Sequence, residues 1–237
     1  MSEPQTRSVQ QLMDLSGRTA LVTGGSRGLG LQMAQALGEA GARLVISSRK
    51  ANELEEAAEQ LRADGIDVTP LAVDLADEDA VMGLADRALE VLGRVDILVN
   101  NAGASWGAPA EDYPLEGWDK VMTLNVRNLF LLTREIGRRS MIPNGGGRVV
   151  NVASNAALGG NRDFMQAVGY NTSKGAVVTF TRALAAEWGA YNITVNAIAP
   201  GFTETEMLAQ VPENIREQII ARVPMGRFGK PEEIARD

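Results

Sequence analysis

The stretch Thr19-Ala20-Leu21-Val22-Thr23-Gly24-Gly25-Ser26-Arg27-Gly28-Leu29-Gly30 decides the fold. Thr19–Thr23 is a short apolar run, as a strand buried on both faces requires. Glycines follow at Gly24, Gly25, Gly28 and Gly30, and Leu29–Ala40 has the length of a helix. A glycine-rich turn between strand and helix lets backbone approach an anion closely, and a helix N-terminus favours negative charge. Gly24, Ser26, Arg27, Gly28, Leu29 and Gly30 thus form a candidate pyrophosphate cradle. The spacing Gly-x-x-x-Gly-x-Gly departs from the usual dinucleotide fingerprint, so a purely structural turn is the competing reading.

Outward from this stretch the same alternation continues. Arg43–Ser47, Val68–Val73, Val95–Val99, Arg148–Val152 and Ile193–Ile198 read as strands. Ala51–Ala63, Asp77–Leu92, Leu115–Met141 and Tyr170–Gly189 read as helices between them. Strand–helix alternation with right-handed crossovers predicts an α/β fold with a doubly wound parallel sheet and helices on both faces. Residues 1–14 are expected to be a flexible leader, and 15–237 a single domain. Phe202–Arg222 carries no strand pattern and reads as one or two short helices lying over the sheet. Lys230-Pro231-Glu232-Glu233 looks like a helix start that the chain soon cuts off, so the natural protein is expected to continue past Asp237.

Composition removes several chemistries. The 237 residues include no Cys and no His, which excludes disulfides, thiol nucleophiles, His triads and the usual zinc sites. No metal site is expected, and an acid–base group must be Asp, Glu, Lys or Tyr. A net charge of -7 without basic runs argues against nucleic acid and anionic membranes. No stretch nears the roughly 20 apolar residues of a membrane span, and no signal peptide is evident. A cytoplasmic location is the default expectation.

The second strand ends Ser47-Ser48-Arg49-Lys50, where an acid would bind the adenosine ribose of NAD. Ser48, Arg49 and the loop residue Arg27 instead suit a 2′-phosphate, which favours NADP(H) over NAD(H). Solvated basic residues at a strand end are the alternative. Asp74 could accept the adenine amino group or cap the helix near Asp77. Asn100-Asn101-Ala102-Gly103 closes the fourth strand where open sheets bind ligands, although its amides could simply tie strands together.

Ser154 closes the fifth strand, and Tyr170 and Lys174 share one helix face at i, i+4. A phenol has a pKa near about 10, and a nearby ammonium lowers it. Ser154 can hold a carbonyl oxygen against the phenol. Asn125 lies on the apolar stripe of Trp118, Val121, Met122, Leu129, Leu132 and Ile136, as a satisfied core amide or as a water anchor.

Taken together, these motifs and Pro200-Gly201 followed by Thr203 make the chain, from about Leu15 onward, resemble the classical short-chain dehydrogenases/reductases. The resemblance implies a Rossmann-like sheet of order 3-2-1-4-5-6, with the family's seventh strand missing here and the sixth left as an exposed edge. It implies that Tyr170 is the general acid/base, that Ser154 polarises the carbonyl, and that Lys174 also binds the nicotinamide ribose. It implies that Asn125 holds a relay water. Cofactor contacts would fall at Gly24, Ser26, Arg27, Gly28, Leu29, Gly30, Ser48, Arg49, Asp74, Leu75, Asn101, Ala102, Gly103, Tyr170, Lys174, Pro200, Gly201 and Thr203. Residues 202–222 would be the substrate lid, and the protein a homo-oligomer, dimer or tetramer. Within the family the chain is most similar to NADPH-dependent β-ketoacyl reductases of the rhamnolipid-pathway type, then to gluconate 5-dehydrogenase-like enzymes. A 3-oxoacyl thioester is therefore the favoured substrate, a keto-sugar or polyol the alternative, and a non-catalytic nucleotide-binding scaffold the alternative from another class. Arg138, Arg139 and Arg162 could form a docking patch for an acyl carrier protein. The Ser154–Tyr170 loop is a few residues longer than usual in the family.

Overall fold

The computed structural model describes residues 8–160, 166–205, 208 and 211–236. Six strands run parallel in the order β3-β2-β1-β4-β5-β6: β1 Thr19–Thr23, β2 Arg43–Ser48, β3 Val68–Ala72, β4 Ile97–Asn100, β5 Gly147–Val152 and β6 Ile193–Ile198. The expected sheet order is observed, and no seventh strand adds to β6 among the described residues. Strand alternation sends Ala20 and Val22 to one face, with helices α2 (Gly28–Glu39) and α3 (Ala51–Ala63). Leu21 points to the other, with α4 (Glu78–Leu92), α6 (Leu129–Ile136) and α7 (Val168–Trp188). Both faces are covered, which is why β1 is buried at every residue.

Several boundaries differ from expectation. A one-turn helix, α1 (Val9–Met13), occupies part of the expected leader, closed by a capping box between Ser8 and Gln11. The long helix from Leu115 is broken: α5 (Leu115–Met122) and α6 are each followed by a wider π-helical turn, Thr123–Asn128 and Gly137–Met141. Single π turns inside helices commonly mark functional positions, and the first contains Asn125. β4 starts two residues later than the apolar run because Asp96 caps the sheet's lower edge. In the 202–222 segment, α8 (Glu213–Ile220) carries Ile219 into a small cluster with Leu208 and Phe228. The final helix, α9 (Pro231–Arg236), is short, yet Ile234 and Ala235 dock on the core beneath α2.

Asp96 accepts the backbone N–H of Thr19 at 3.0 Å and its hydroxyl at 3.1 Å, and pairs with Arg94 and Arg18. Burial pushes its carboxyl up, but these hydrogen bonds outweigh burial and hold it below the usual carboxylate range. A depressed folded pKa stabilises above the unfolded value and loses that contribution as pH falls through the folded one. Asp96→Asn should therefore lower the urea midpoint at pH 7, with the gap to wild type closing as pH approaches 3. A gap that stays constant with pH would refute this account.

Candidate active site

Three residues at the top of β1 and β4 shape the phosphate loop. The Thr23 hydroxyl accepts the backbone N–H groups of Asn101 and Ala102 and donates to Val99 O. The Asn101 amide donates to the carbonyls of Thr23 and Gly24 at 3.0 and 3.1 Å. Gly30 then comes so close that a Cβ there would fall 2.1 Å from Gly24 O. Gly28 adopts φ +54° at the first turn of α2, a conformation that disfavours any other residue. Space is thus kept at a helix N-terminus by residues that could not carry side chains, which fits a pyrophosphate. Asn101 acts here as a strand tie, the structural alternative, and touches the cradle only by shaping it.

The adenosine end lies at the top of β2. Ser26 donates to Ser48 across 3.0 Å, tying loop to strand, and Arg27, Arg49 and Lys50 are all exposed. Asp74 is exposed and accepts Ala76 N in a local turn, while Asp77, not Asp74, caps α4. Leu75 is held from behind by Asn128, whose amide donates to Leu75 O at 2.7 Å. Sequence reading missed Asn128, although it lies three residues after Asn125 in the same helix. Its buried Oδ1 has no hydrogen-bond partner among the described residues and borders a void of about 10 Å³ with Thr23, Asn100 and Ala102. That is room for one water.

On the other side, Lys174 and Asn125 meet the loop after β4. The Lys174 ammonium is buried and donates to Val152 O at 2.7 Å. Asn125 clamps Ala104 on both sides: Oδ1 accepts its N–H, and Nδ2 donates to its carbonyl, each at 2.8 Å. Nδ2 also donates to Ser173, whose hydroxyl donates to Tyr170 O. Both amide hydrogens are spent on protein, so the side chain is a structural clamp. A relay water at Asn125 would have to use the backbone carbonyl or the remaining lone pair. Gly103 lies under these groups; a Cβ there would be 3.2 Å from Asn125 Oδ1 and 3.6 Å from Lys174 Nζ.

Tyr170 sits in the first turn of α7, which starts at Val168, two residues before the expected start. Its entry is pinned by Ala108 N donating to Gln166 O at 2.8 Å and by Gly169, where a Cβ would meet the Tyr113 hydroxyl at 2.6 Å. Ser154 lies two residues past the end of β5, not at it, and caps the 3₁₀ turn Asn155–Leu158, accepting Ala156 N at 3.1 Å. Burial pushes the Tyr170 phenol up, and a hydrogen bond with Ser154 opposes this. The lowering expected from Lys174 does not prevail: burial leaves the phenol above its ordinary value, with the Lys174 Nζ over the ring, 5.7 Å from the centroid.

The remaining expected residues divide. Pro200 accepts Asn155 N at 3.0 Å, and Gly201–Thr203 leads into a segment bridged to Gly229. The segment after β6 reaches back to the glycine turn through Thr205, whose Cγ2 lies 3.5 Å from where a Gly28 Cβ would be. The Thr-x-Thr spacing of Thr203 and Thr205 was the available signal for this second contact. Arg138 and Arg139 lie at the far end of the sheet, where the adjacent Ser140 hydroxyl donates to Val95 O below β4. They pair with Glu135 and Asp86 and do not reach the mouth. Arg162 lies outside the described residues.

A family model described as short chain dehydrogenase matches residues 18–216. The chain belongs to that family. It is 44% identical over 227 residues to the rhamnolipids biosynthesis 3-oxoacyl-[acyl-carrier-protein] reductase of Pseudomonas aeruginosa, covering 93% of this chain and 87% of the relative. Gluconate 5-dehydrogenase of Gluconobacter oxydans is 36% identical, with 94% and 86% covered. Among solved structures, an NADP active-site complex from P. aeruginosa superposes with TM-score 0.87 at 42% identity, covering 94% of this chain and 88% of that one. This family member is an oxidoreductase acting between CH–OH and C=O. No helix among the described residues is long and apolar enough to cross a membrane.

Burial lowers the Lys174 pKa to about 8. An unfolded lysine keeps its proton to about 10.4, so between these values the unfolded chain binds more protons and stability rises with pH. Relative to Lys174→Met, the wild type should gain stability between pH 8 and 10 in urea melts. Parallel pH profiles for the two proteins would refute the buried-charge account.

Proposed function

We propose that the protein is an NADPH-dependent reductase of ketones to secondary alcohols. The observation that carries this is the convergence of Ser154, Tyr170 and Lys174 at the carboxyl end of β5, beside a glycine-rich cradle on β1. The reduced nicotinamide would supply the hydride. Ser154 accepts Ala156 N and donates to Asn155 Oδ1 across 3.4 Å, a long hydrogen bond that a substrate carbonyl would replace. Tyr170, kept protonated by burial, is poised as the proton donor to the same oxygen. Lys174 spends one of its three donors on Val152 O and would offer the others to the cofactor ribose. Arg27, Ser48 and Arg49 would hold the 2′-phosphate, and Asp74 and Leu75 would frame the adenine.

A 3-oxoacyl thioester is the favoured substrate. Leu158 and Val168, two large apolar side chains left in solvent, flank Ser154 and Tyr170 in sequence, a rim that suits an acyl chain better than a polyol. The activity for which the P. aeruginosa relative is named points the same way. Phe130, exposed on α6 and stacked edge-on with Phe180, marks the helical face where a homo-oligomer would pack.

Tyr170→Phe should lower kcat by about 10²–10⁴ while NADPH affinity stays within about twofold of wild type. Retained turnover would remove Tyr170 from the chemistry. With a panel of ketones, NADPH should give the higher kcat/KM, and 3-oxoacyl thioesters should be reduced faster than 5-keto sugar acids. Cofactor binding without turnover of any ketone would instead support a scaffold.

A further inference from the structure

Glu53 lies in the first turn of α3, immediately after the basic end of β2. Its carboxylate faces two cations from different elements. Lys50 hydrogen-bonds one oxygen, and Arg27, from the cap of α2, places Nη1 3.7 Å from the other. The side chains of both cations are more than half exposed, at 58% and 53%, whereas that of Glu53 is 29% exposed, so the acid sits inside the pair. Arg27 and Glu53 border a recess of about 180 Å³ that Ser26, Leu31, Glu56 and Gln60 also line. The Lys50 hydrogen bond holds the Glu53 carboxyl below its ordinary range, so it is charged at neutral pH.

A Lys–Glu pair at i, i+3 in a first helical turn is an ordinary surface feature. The Arg27 contact is not part of that pattern, because it reaches from the phosphate loop to another helix. A 2′-phosphate seated between Arg27, Ser48 and Arg49 would compete with Glu53 for Arg27, and like charges this close repel. We propose that Glu53 is an internal counter-ion, anchored by Lys50, that a ribose 2′-phosphate must displace from Arg27, and so sets how strongly NADPH is preferred to NADH. The inference rests on the NADPH reading above and gives it a residue that acts through its neighbours. Glu53 holds the basic residues in place when no phosphate is bound, and taxes only the cofactor that carries one.

The test is fluorescence titration of NADPH and NADH into the full chain, for wild type, Glu53→Gln and Glu53→Asp. It is run at about 0.01 M and about 0.15 M ionic strength, where the Debye length falls from about 30 to about 8 Å. Glu53→Gln should bind NADPH about 3–10-fold more tightly at low salt, converting to roughly 1 kcal/mol. NADH should change less than twofold, and the NADPH gain should shrink at the higher salt. Glu53→Asp keeps the charge and should stay near wild type, and kcat should not move in either variant. If the wild type prefers NADPH but Glu53→Gln binds it no better, or tightens NADH equally, the counter-ion role is wrong and the cofactor reading survives. If the wild type prefers NADH, both are overturned.

Discussion

The site hangs from the Thr23 hydroxyl. It accepts two backbone N–H groups from the end of β4, and so locks the phosphate loop to the segment that leads to the catalytic side. From there one hydrogen-bonded line continues through Ala104, Asn125 and Ser173 to the backbone of Tyr170. The glycine turn and Tyr170, contributed by opposite halves of the chain, are therefore parts of one framework. A second line beneath it joins Asn100, Thr133, Asn151 and Thr181 across β4, β5, α6 and α7. Buried polar lines of this sort are costly when incomplete and specify a single arrangement when satisfied.

Lys174 is where this framework accepts an energetic cost for chemistry. A buried ammonium with one protein acceptor is under-solvated, and its lowered pKa records that. Such a group is better served once further acceptors arrive, as the hydroxyls of a ribose would be. Tyr170 shows the complementary behaviour: enclosed by the same walls, it holds its proton more tightly than free phenol.

Much of this was legible in the sequence because the fold depends on period and punctuation. The apolar runs of β1 to β6 needed no tertiary information, and neither did the glycine turn after Thr23. The spacing of Tyr170 and Lys174 also placed them correctly on one face. What could not be read is what depends on direction and competition. Asn125 and Asn101 were recognisable as special, but only the geometry shows their amides spent on Ala104, Thr23 and Gly24. The sign of the Tyr170 shift was misjudged because spacing says that an ammonium is near, not how far burial beside it pushes the phenol the other way. Asn128 and Thr205 were passed over because a polar residue on an apolar helix, or in a lid, carries no periodic signal. The π turn at Thr123–Asn128 was invisible for the same reason: the apolar stripe runs through it unbroken.

The two ends of the Ser154–Tyr170 connection are fastened independently. Asn155 is tied to Pro200 and Gly159 to Asn171, while Gln166 is tied to Ala108 and Gly169 rests on Tyr113. Closing a longer loop between fixed anchors adds little entropy cost, because that cost grows only with the logarithm of length. The position of Tyr170 therefore depends on these anchors, up to Gly160 on one side and from Gln166 on the other, and not on the length of chain that joins them.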